Sequence, residues 1–269
     1  MEEIRYFEDI SFIDFPKKKA INKVFFLIGF FILLVSWFLL SEIINNKTFL
    51  PSPFAVVKVL VSYIITGKIF PHLWDSLLRI FVGFSLASLV AVGIGLLMSL
   101  SKIFNDICEP FIELFRPIPP YCYISVTLLW FGMGFTGKIF IIYIATFFPV
   151  LLNTILGVKE IDGKLLEAAQ TLGAKKNFIV RKVILPSSLP SIMTGLRLGF
   201  GTAWLSLVAA EMVGASSGLG FLISDAREFV ETDVVIMGMI IIGLIGYAFS
   251  VVFDKLSHLA FQHRRKLQN

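Results

Sequence analysis

Side chains that carry chemistry in enzymes are scarce in this chain of 269 residues. Charged residues make up only 16% of it and hydrophobic residues 57%, proportions that exclude an ordinary soluble domain. Two cysteines are too few for a disulfide framework. The three histidines lie near the ends of apolar runs, and the histidines and cysteines together do not form the spacing of a metal site. We therefore predict no catalytic residues and no metal site.

Long hydrophobic runs are abundant. The sequence holds 28 phenylalanines and has room for about six helical spans of roughly 20 residues each. The predicted spans are 24–44, 74–100, 107–131, 139–158, 191–213 and 234–254. The first run is too long for the apolar part of a signal peptide and no cleavage site follows it, so we interpret it as an uncleaved span. The predicted fold class is an all-α polytopic membrane protein whose transmembrane domain covers 24–254.

Polar segments separate and flank these runs. Residues 45–73 are predicted to lie outside the membrane, with a short amphipathic helix over 54–65. Residues 214–233 are predicted to form a second loop outside the membrane. For the tail at 1–23, where charges alternate with aromatic side chains, two interpretations stay open: an interfacial helix on the bilayer or a frayed tail. Residues 255–269 form a basic tail.

The distribution of positive charge predicts the orientation. With the N-terminus inside, 16 of the 24 lysines and arginines lie in cytoplasmic segments, 5 lie in external segments and 3 lie within spans. Cytoplasmic loops of membrane proteins carry an excess of these residues. Both termini and the polar segment 159–190 are therefore expected on the cytoplasmic side of the cell membrane. The net charge of +5 belongs to the membrane flanks and does not indicate a nucleic-acid partner.

The segment 159–190 is the one long polar stretch between apolar runs. Apolar side chains at helical spacing predict a helix over 162–172. They are Leu165, Ala168, Ala169 and Leu172. Gly173 follows the last of them, at the position where a left-handed C-cap favours glycine. A second short helix is predicted over 175–184 and is expected to end before Pro186. Because alanines allow close approach, this amphipathic pair is predicted to dock into another protein.

The order of residues in this segment resembles the cytoplasmic loop signature of binding-protein-dependent ABC importer permeases. The matching positions are Glu167, Ala168, Ala169, Gly173, Leu185 and Pro186, with Val183 where isoleucine is usual. The resemblance extends from about residue 50 to about residue 221. Within that family, the chain looks like the nitrate, sulfonate and taurine branch. The motifs that carry it are FLPSP (49–53), RPIPP (116–120), LWFGMG (129–134), FFPVLLNT (147–154) and AAEMVGASSGLG (209–220).

This resemblance implies the architecture of a type I ABC importer permease. Two copies of the chain are then expected to join two copies of a separate ATPase subunit, which uses ATP and magnesium, and to receive solute from an external binding protein. The resemblance implies no cofactor bound by the chain itself and no enzymatic activity. The six matching positions in the segment 159–190 are implied to couple the permease to the ATPase.

The branch also suggests a solute. Its members handle small oxyanions and sulfonates, so the resemblance implies a sulfonate, taurine or nitrate-like anion. Arg79, Arg116 and Arg197 lie within predicted spans and outnumber Glu113 and Glu211, and a cationic excess along a path suits an anion. Two alternatives stay open. One is the same architecture importing a neutral vitamin precursor, a pyrimidine or a flavin, and the other is an ATP-independent secondary transporter.

Three prolines interrupt the third predicted span, at Pro117, Pro119 and Pro120. Each lacks an N–H donor and clashes with the preceding turn, which excludes a regular helix. Non-helical backbone at membrane depth persists only where protein or a water-filled cavity satisfies it. Glu113 and Arg116, together with Pro117 and Pro119, are therefore predicted to line the translocation path. The alternative is an ion pair between the two charges across one helical turn.

The fifth predicted span contains two charges, Arg197 and Glu211, about 21 Å apart along a helix. The resemblance implies that Glu211, near the outer end, lies where the path meets the binding protein. For Arg197 two roles stay open, contact with the cytoplasmic headgroups and a place on the path. Gly195 and Gly199 have small-xxx-small spacing and predict close helix packing.

Gly132, Gly137 and Lys138 have part of the spacing of a phosphate-binding loop. Ile139 stands where serine or threonine would coordinate magnesium, and no strand is predicted before the motif. The motif also falls on the side predicted to be external. We therefore predict that the chain has no nucleotide site of its own.

Overall fold

The computed structural model describes the backbone of residues 21–46 and 48–268 and the side chains of 25–46 and 48–257. The predicted interfacial helix at 1–23 thus lies almost wholly outside the described residues. Every regular element in the described part of the chain is helical. The elements are α1 (Ile21–Ile44), α2 (Pro53–Ile65), α3 (Ile69–Leu100), α4 (Lys102–Phe115), a 3-10 turn (Pro120–Cys122), α5 (Tyr123–Phe131), α6 (Phe135–Lys159), α7 (Gly163–Thr171), α8 (Lys176–Ile179), a π-helical turn (Val180–Ile184), α9 (Leu185–Gly214), α10 (Leu219–Glu228) and α11 (Thr232–Gln268).

Five helical stretches among the described residues are long and apolar enough to cross a membrane. They are Phe25–Ile44, Ile69–Leu100, Phe135–Lys159, Lys176–Gly214 and Thr232–Ser257. The prediction of an all-α membrane protein is confirmed. The third predicted span, 107–131, is not one helix, because α4 ends at Phe115 and an irregular stretch leads through the 3-10 turn into α5. The prolines of this stretch remove the donors that a continuous helix needs, so the predicted break is confirmed.

The predicted end of a helix before Pro186 is wrong. The chain runs from α8 through the π-helical turn into α9 without a break, and Pro186 lies in the first turn of α9. In the π-helical turn the N–H of Leu185 bonds to the carbonyl of Val180, five residues back. This wider turn shifts the hydrogen-bond register just before the proline, so its ring and missing N–H do not end the helix. The span predicted to begin at residue 191 is therefore part of a 39-residue helical stretch.

The loop predicted over 214–233 contains a buried helix, α10, which packs against α9, α11 and α3. One face of α10 is apolar and enclosed by these helices. Its buried hydrophobic side chains are Leu219, Leu222, Ile223 and Ala226. The acidic side chains Asp225, Glu228 and Glu231 are exposed. The prediction missed the helix because it followed these charges and not the apolar positions between them.

Helix α6 lies between α3 and α9 and forms the centre of the bundle. Glycines let the helices approach closely. A Cβ added at Gly195 would stand 2.7 Å from the Cβ of Asn153, and one at Gly199 would stand 2.9 Å from Cγ2 of Val150. No side chain fits at either distance, so the close packing predicted at these two glycines is confirmed.

Helix α1 lies at the edge of the bundle, and most of its described side chains are exposed. The indole N–H of Trp37 donates a hydrogen bond to the carbonyl of Pro51 at 3.1 Å, which ties α1 to the start of α2. The short helix predicted over 54–65 is confirmed as α2. Ser52 caps α2 by accepting a hydrogen bond from the N–H of Ala55 at 3.3 Å. The exposed apolar surface of α1 suits lipid or a partner chain and not water.

Candidate functional site

Helix α7 in the segment 159–190 ends in the predicted left-handed glycine. Gly173 has φ +73°. Its N–H bonds to the carbonyl of Gln170 at 2.9 Å, and the N–H of Ala174 bonds to the carbonyl of Ala169 at 3.0 Å. These two bonds form a Schellman motif, which satisfies carbonyls that the end of the helix leaves without partners. The motif fixes the direction in which the chain leaves α7.

Helix α7 presents its apolar face to the outside, and none of its side chains is buried. Leu165 is 48% exposed, and Leu172, just beyond the helix, is 87% exposed. Ala168 lies between them at helical spacing and is also exposed. The described residues leave this stripe uncovered. An uncovered apolar stripe on a short helix is typical of a surface that binds another protein.

The structure places five of the six predicted coupling residues on two helices, and the sixth, Gly173, follows the end of α7. Glu167, Ala168 and Ala169 lie on α7. The pair at 185–186 lies at the start of α9, after the π-helical turn. The pair therefore connects the segment to the long helix that forms one side of the bundle core. A displacement of the segment would act on α9 at this point.

The broken region between α4 and α5 carries the two charges predicted for the path. Nη2 of Arg116 lies 3.1 Å from Oε2 of Glu113, so the ion pair across one turn is formed. The arginine side chain is 43% exposed and the glutamate side chain 55% exposed. Pro117 and Pro119 are exposed in the following turn. The described residues of this chain therefore leave this region open.

Glu211 is fully enclosed, and its carboxylate lies at the centre of a buried polar cluster. It accepts hydrogen bonds from Ser76 Oγ at 2.8 Å, from Arg79 Nη1 at 2.7 Å and from the N–H of Gly220 at 3.0 Å. A carboxylate removed from water requires such donors. In this structure Glu211 contacts α3 and α10 and has no exposed surface along a path.

The cluster also holds the chain between α9 and α10. The guanidinium of Arg79 donates to the carbonyl of Ser217 at 2.9 Å and to its hydroxyl at 2.8 Å. The hydroxyl of Ser76 accepts a hydrogen bond from the N–H of Leu219 at 2.9 Å. We call Ser76, Arg79, Glu211 and Ser217 the Arg79–Glu211 cluster. It joins α3, α9 and the start of α10, and Glu211 lies 26 residues, or about 39 Å, along α9 from Leu185.

Two glycines make room for the cluster. Gly218 has φ +117° and its N–H bonds to Nδ1 of His72 at 3.2 Å. A Cβ added at Gly218 would overlap the carboxylate of Glu211, and one added at Gly220 would stand 2.7 Å from the Cβ of the same residue. The glycines of the motif at 209–220 therefore let the backbone close over the carboxylate.

Replacing Gly218 with alanine is expected to destabilise the fold. The backbone there, at φ +117° and ψ 167°, is a conformation that residues with a side chain avoid at a cost of about 1–3 kcal/mol, and the clash with Glu211 adds to it. The midpoint of thermal unfolding in detergent should fall. The matched control is Gly201→Ala, where the added methyl meets nothing within 4 Å. Equal midpoints for the two variants would contradict this geometry.

Lys138 has a structural role. It is 4% exposed, and its ammonium donates to the carbonyl of Met133 at 2.6 Å and to that of Gly214 at 2.9 Å. The lysine thus ties the end of α9 to the turn before α6. Its donors are directed at the protein's own carbonyls and not at a phosphate site.

Arg197 forms an ion pair with a neighbouring helix. Its guanidinium pairs with the carboxylate of Asp254 and donates to the hydroxyl of Ser250 at 3.0 Å. Both partners lie on α11, so the arginine links α9 to α11. The side chains of the ion pair are about half exposed.

Sequence reasoning missed His72, Ser76 and Ser217 as members of this polar region. A signal was present in α3: His72, Ser76 and Arg79 are spaced by four and three residues, which places them on one face of a helix. A polar stripe inside an otherwise apolar span indicates a polar partner within the bundle. The identity of that partner depends on how α9 packs against α3.

The fold and these sites define a class of protein, a polytopic helical membrane protein with an uncovered amphipathic helix between two of its spans. Residues 83–266 match the family described as "Binding-protein-dependent transport system inner membrane component". The chain belongs to this family, as the resemblance in the segment 159–190 predicted. It is thus a multi-pass permease subunit of the inner membrane and not an enzyme.

The relatives are similar over most of their length. The chain is 49% identical over 217 residues to a protein of Methanocaldococcus jannaschii named as an ABC transporter permease, covering 79% of this chain and 81% of that protein. It is 39% identical over 222 residues to the taurine transport system permease of Escherichia coli, covering 80% and 81%. It is 31% identical over 224 residues to a nitrate import permease of Synechocystis, also covering 80% and 81%.

A solved structure shares the fold. The MetNI methionine ABC transporter in an inward-facing conformation aligns with a TM-score of 0.62 and 20% identity, covering 70% of this chain and 94% of that chain. The predicted architecture of an ABC importer permease is therefore confirmed at the level of the fold.

Proposed function

We propose that two copies of this chain form the translocation path of an ATP-driven importer for a small sulfonate, taurine or nitrate-like anion. The observation that carries the proposal is the similarity to a taurine permease and a nitrate permease, each over 80% of this chain. An external binding protein delivers the solute in this proposal. A separate ATPase subunit uses ATP and magnesium.

Uptake by the reconstituted transporter tests the proposal. The chain, its ATPase and its binding protein are placed in liposomes, and uptake of taurine, nitrate and a neutral pyrimidine is compared with and without ATP inside. We expect ATP-dependent uptake of one of the two charged solutes. Uptake of the pyrimidine alone would refute the assigned solute class. Equal uptake without ATP would contradict an ATP-driven importer.

We further propose that the segment 159–190 couples the permease to the ATPase, through Glu167, Ala168, Ala169, Gly173, Leu185 and Pro186. Two observations support this role. The apolar stripe of α7 is left uncovered by the described residues, so it is available to a partner. The segment continues directly into α9, which packs along α6 in the core. A rigid helix that begins at the docking surface can transmit movement into the bundle.

The break between α4 and α5 is proposed to line the path in the assembled dimer. Arg116 and Glu113 support this, because both are exposed in the single chain and stand beside non-helical backbone. The prolines at 117 and 119 keep that backbone irregular. A second copy, or the water of the path, is expected to surround this region in the transporter.

Thiol labelling at Arg116 tests the path. In a background with Cys108→Ser and Cys122→Ser, Arg116→Cys should react with a small charged thiol reagent. The reagent reaches only positions in contact with water, and contact with water also lets the thiol ionise to the reactive thiolate. ATP-driven cycling should change the labelling rate. Thr127→Cys is the control and should stay unreactive, since Thr127 is 2% exposed. Failure of Arg116→Cys to react in every state would return the region to a packing role.

The orientation is proposed from the excess of lysine and arginine, with 1–23, 159–190 and 255–269 in the cytoplasm. In the same background, Arg227→Cys should label from outside intact cells with an impermeant reagent, and Lys164→Cys should label only after the membrane is opened. Both positions are exposed, so access to the thiol is not limited by packing. The opposite pattern would invert the topology.

A further inference from the structure

A cavity of about 360 Å³ lies where the end of α3 meets the helical stretch that follows α7. Its apolar wall is formed by Leu97 and Leu100, in the last turn of α3, and by Val180. Lys176 and Arg181 supply its charge. The cavity therefore combines aliphatic side chains from the end of a membrane span with two cations.

The cations at this cavity have no acidic partner. Neither Lys176 nor Arg181 takes part in an ion pair among the described residues. No acidic side chain lines the cavity. The sequence contains no aspartate or glutamate between Glu167 and Glu211, so the stretch that carries both cations supplies no counter-charge of its own. An anion from outside the chain is the group that this arrangement fits.

A third feature adds to the positive potential. The cavity borders Ser101, which precedes the 14-residue helix α4 and accepts a hydrogen bond from the N–H of Phe104. The N-terminal end of a helix carries a partial positive charge, and its first N–H groups lack partners within the helix. The same end of α3 also carries Leu97, which is 55% exposed and suits contact with an acyl chain.

We propose that this cavity binds the headgroup of an anionic phospholipid from the leaflet on the side of the coupling segment. The phosphate pairs with Lys176 and Arg181, and the first carbons of an acyl chain lie along Leu97 and Leu100. A lipid fits better than an acidic protein surface, because Leu97 and Leu100 belong to the last turn of a candidate membrane span. Cations beside the end of a span attract anionic headgroups. A bound lipid would link the end of α3 to the stretch that leads into α9.

Lipid binding to the purified transporter tests the proposal. The chain, alone and with its ATPase subunit, is stripped of lipid in detergent and titrated with phosphatidylglycerol or phosphatidylcholine, and native mass spectrometry counts the bound molecules. We expect one tightly held phosphatidylglycerol per copy of the chain in both preparations. The double variant Lys176→Gln with Arg181→Gln should weaken that affinity by about tenfold or more, because both cations contribute to headgroup binding.

Two further variants make the result specific. Lys159→Gln with Lys164→Gln removes two exposed cations of the same segment that do not line the cavity, and it should bind phosphatidylglycerol like the wild type. Lys176→Arg with Arg181→Lys keeps both charges and should retain binding.

Equal affinity of the Lys176→Gln, Arg181→Gln variant and the wild type for phosphatidylglycerol would overturn the proposal, as would phosphatidylcholine binding as tightly as phosphatidylglycerol. Displacement by millimolar inorganic phosphate would make it a site for free phosphate. Binding to the chain alone but not to the complex would assign the cavity to the ATPase.

Discussion

Replacing Glu211 with alanine should destabilise the folded chain by about 3–5 kcal/mol. The substitution leaves the guanidinium of Arg79 buried beside Ser217 without the carboxylate that accepts its hydrogen bond at 2.7 Å. The N–H of Gly220 and the hydroxyl of Ser76 lose the same acceptor. Asp75, partly exposed and 3.5 Å from Arg79 Nη2, is then the one acidic partner that the described residues leave to the guanidinium. The loss is costly because the interior offers no water to replace the buried carboxylate. The midpoint of thermal unfolding in detergent is the measurement.

Two controls separate the loss of the ion pair from other effects. Glu228→Ala removes an exposed carboxylate from α10 and should change stability by no more than about 0.5 kcal/mol. The double variant Arg79→Met with Glu211→Leu should be more stable than Glu211→Ala alone, because it leaves no buried charge unpaired. Asp75, which lies 3.5 Å from Arg79 Nη2, is partly exposed. If Glu211→Ala and Glu228→Ala had similar midpoints, the Arg79–Glu211 cluster would not hold the fold together.

A charge on the apolar face of α7 should strongly reduce transport without unfolding the chain. Ala169→Glu places a charge on the apolar face of α7, and burying it against the ATPase would cost about 2 kcal/mol or more. Uptake driven by ATP should fall at least about tenfold. Gln170→Glu is the matched control, because it adds the same charge to an exposed position off that face. Equal uptake by the two variants would contradict docking through this face.

Substitutions at Gly173 test whether the left-handed backbone conformation after α7 is needed for coupling. A Cβ at this glycine meets nothing within 4 Å, so the penalty of Gly173→Val is conformational, about 1–2 kcal/mol for a left-handed residue. We expect Gly173→Val to reduce coupled ATP hydrolysis and uptake. Gly173→Asn should retain more activity, because asparagine tolerates this conformation. Gly163→Ala, at an equally open position without positive φ, should behave like the wild type. Full activity of Gly173→Val would show that the Schellman motif is not needed.

The sequence by itself determined the parts of this protein that depend on neighbouring residues. Apolar runs of sufficient length predicted helices that cross a membrane, since a span must satisfy its own backbone hydrogen bonds in lipid. The order of residues in the coupling segment predicted α7 and its glycine cap, and the structure has both. The prolines after Arg116 predicted the break between α4 and α5. Each of these features is decided within a few turns of chain.

Local patterns failed where a neighbour in space overrode them. Pro186 was expected to end a helix, but the π-helical turn before it shifts the hydrogen-bond register and the helix continues. The acidic stretch at 214–233 was expected to be a loop, but it contains α10, whose apolar side is enclosed by three helices. Such burial depends on what lies opposite the helix, which the sequence of that helix does not contain.

Only the tertiary structure decided the role of Glu211. Its ion-pair partner, Arg79, is 132 residues away in the chain, and nothing in either local sequence identifies the other. Helix α6 brings the two together, because glycines allow α3 and α9 to pack closely on its two sides. The sequence marked a charge inside a span, whose burial requires a partner. Which residue supplies that partner is a property of helix packing, since packing alone sets the distances between residues far apart in the chain.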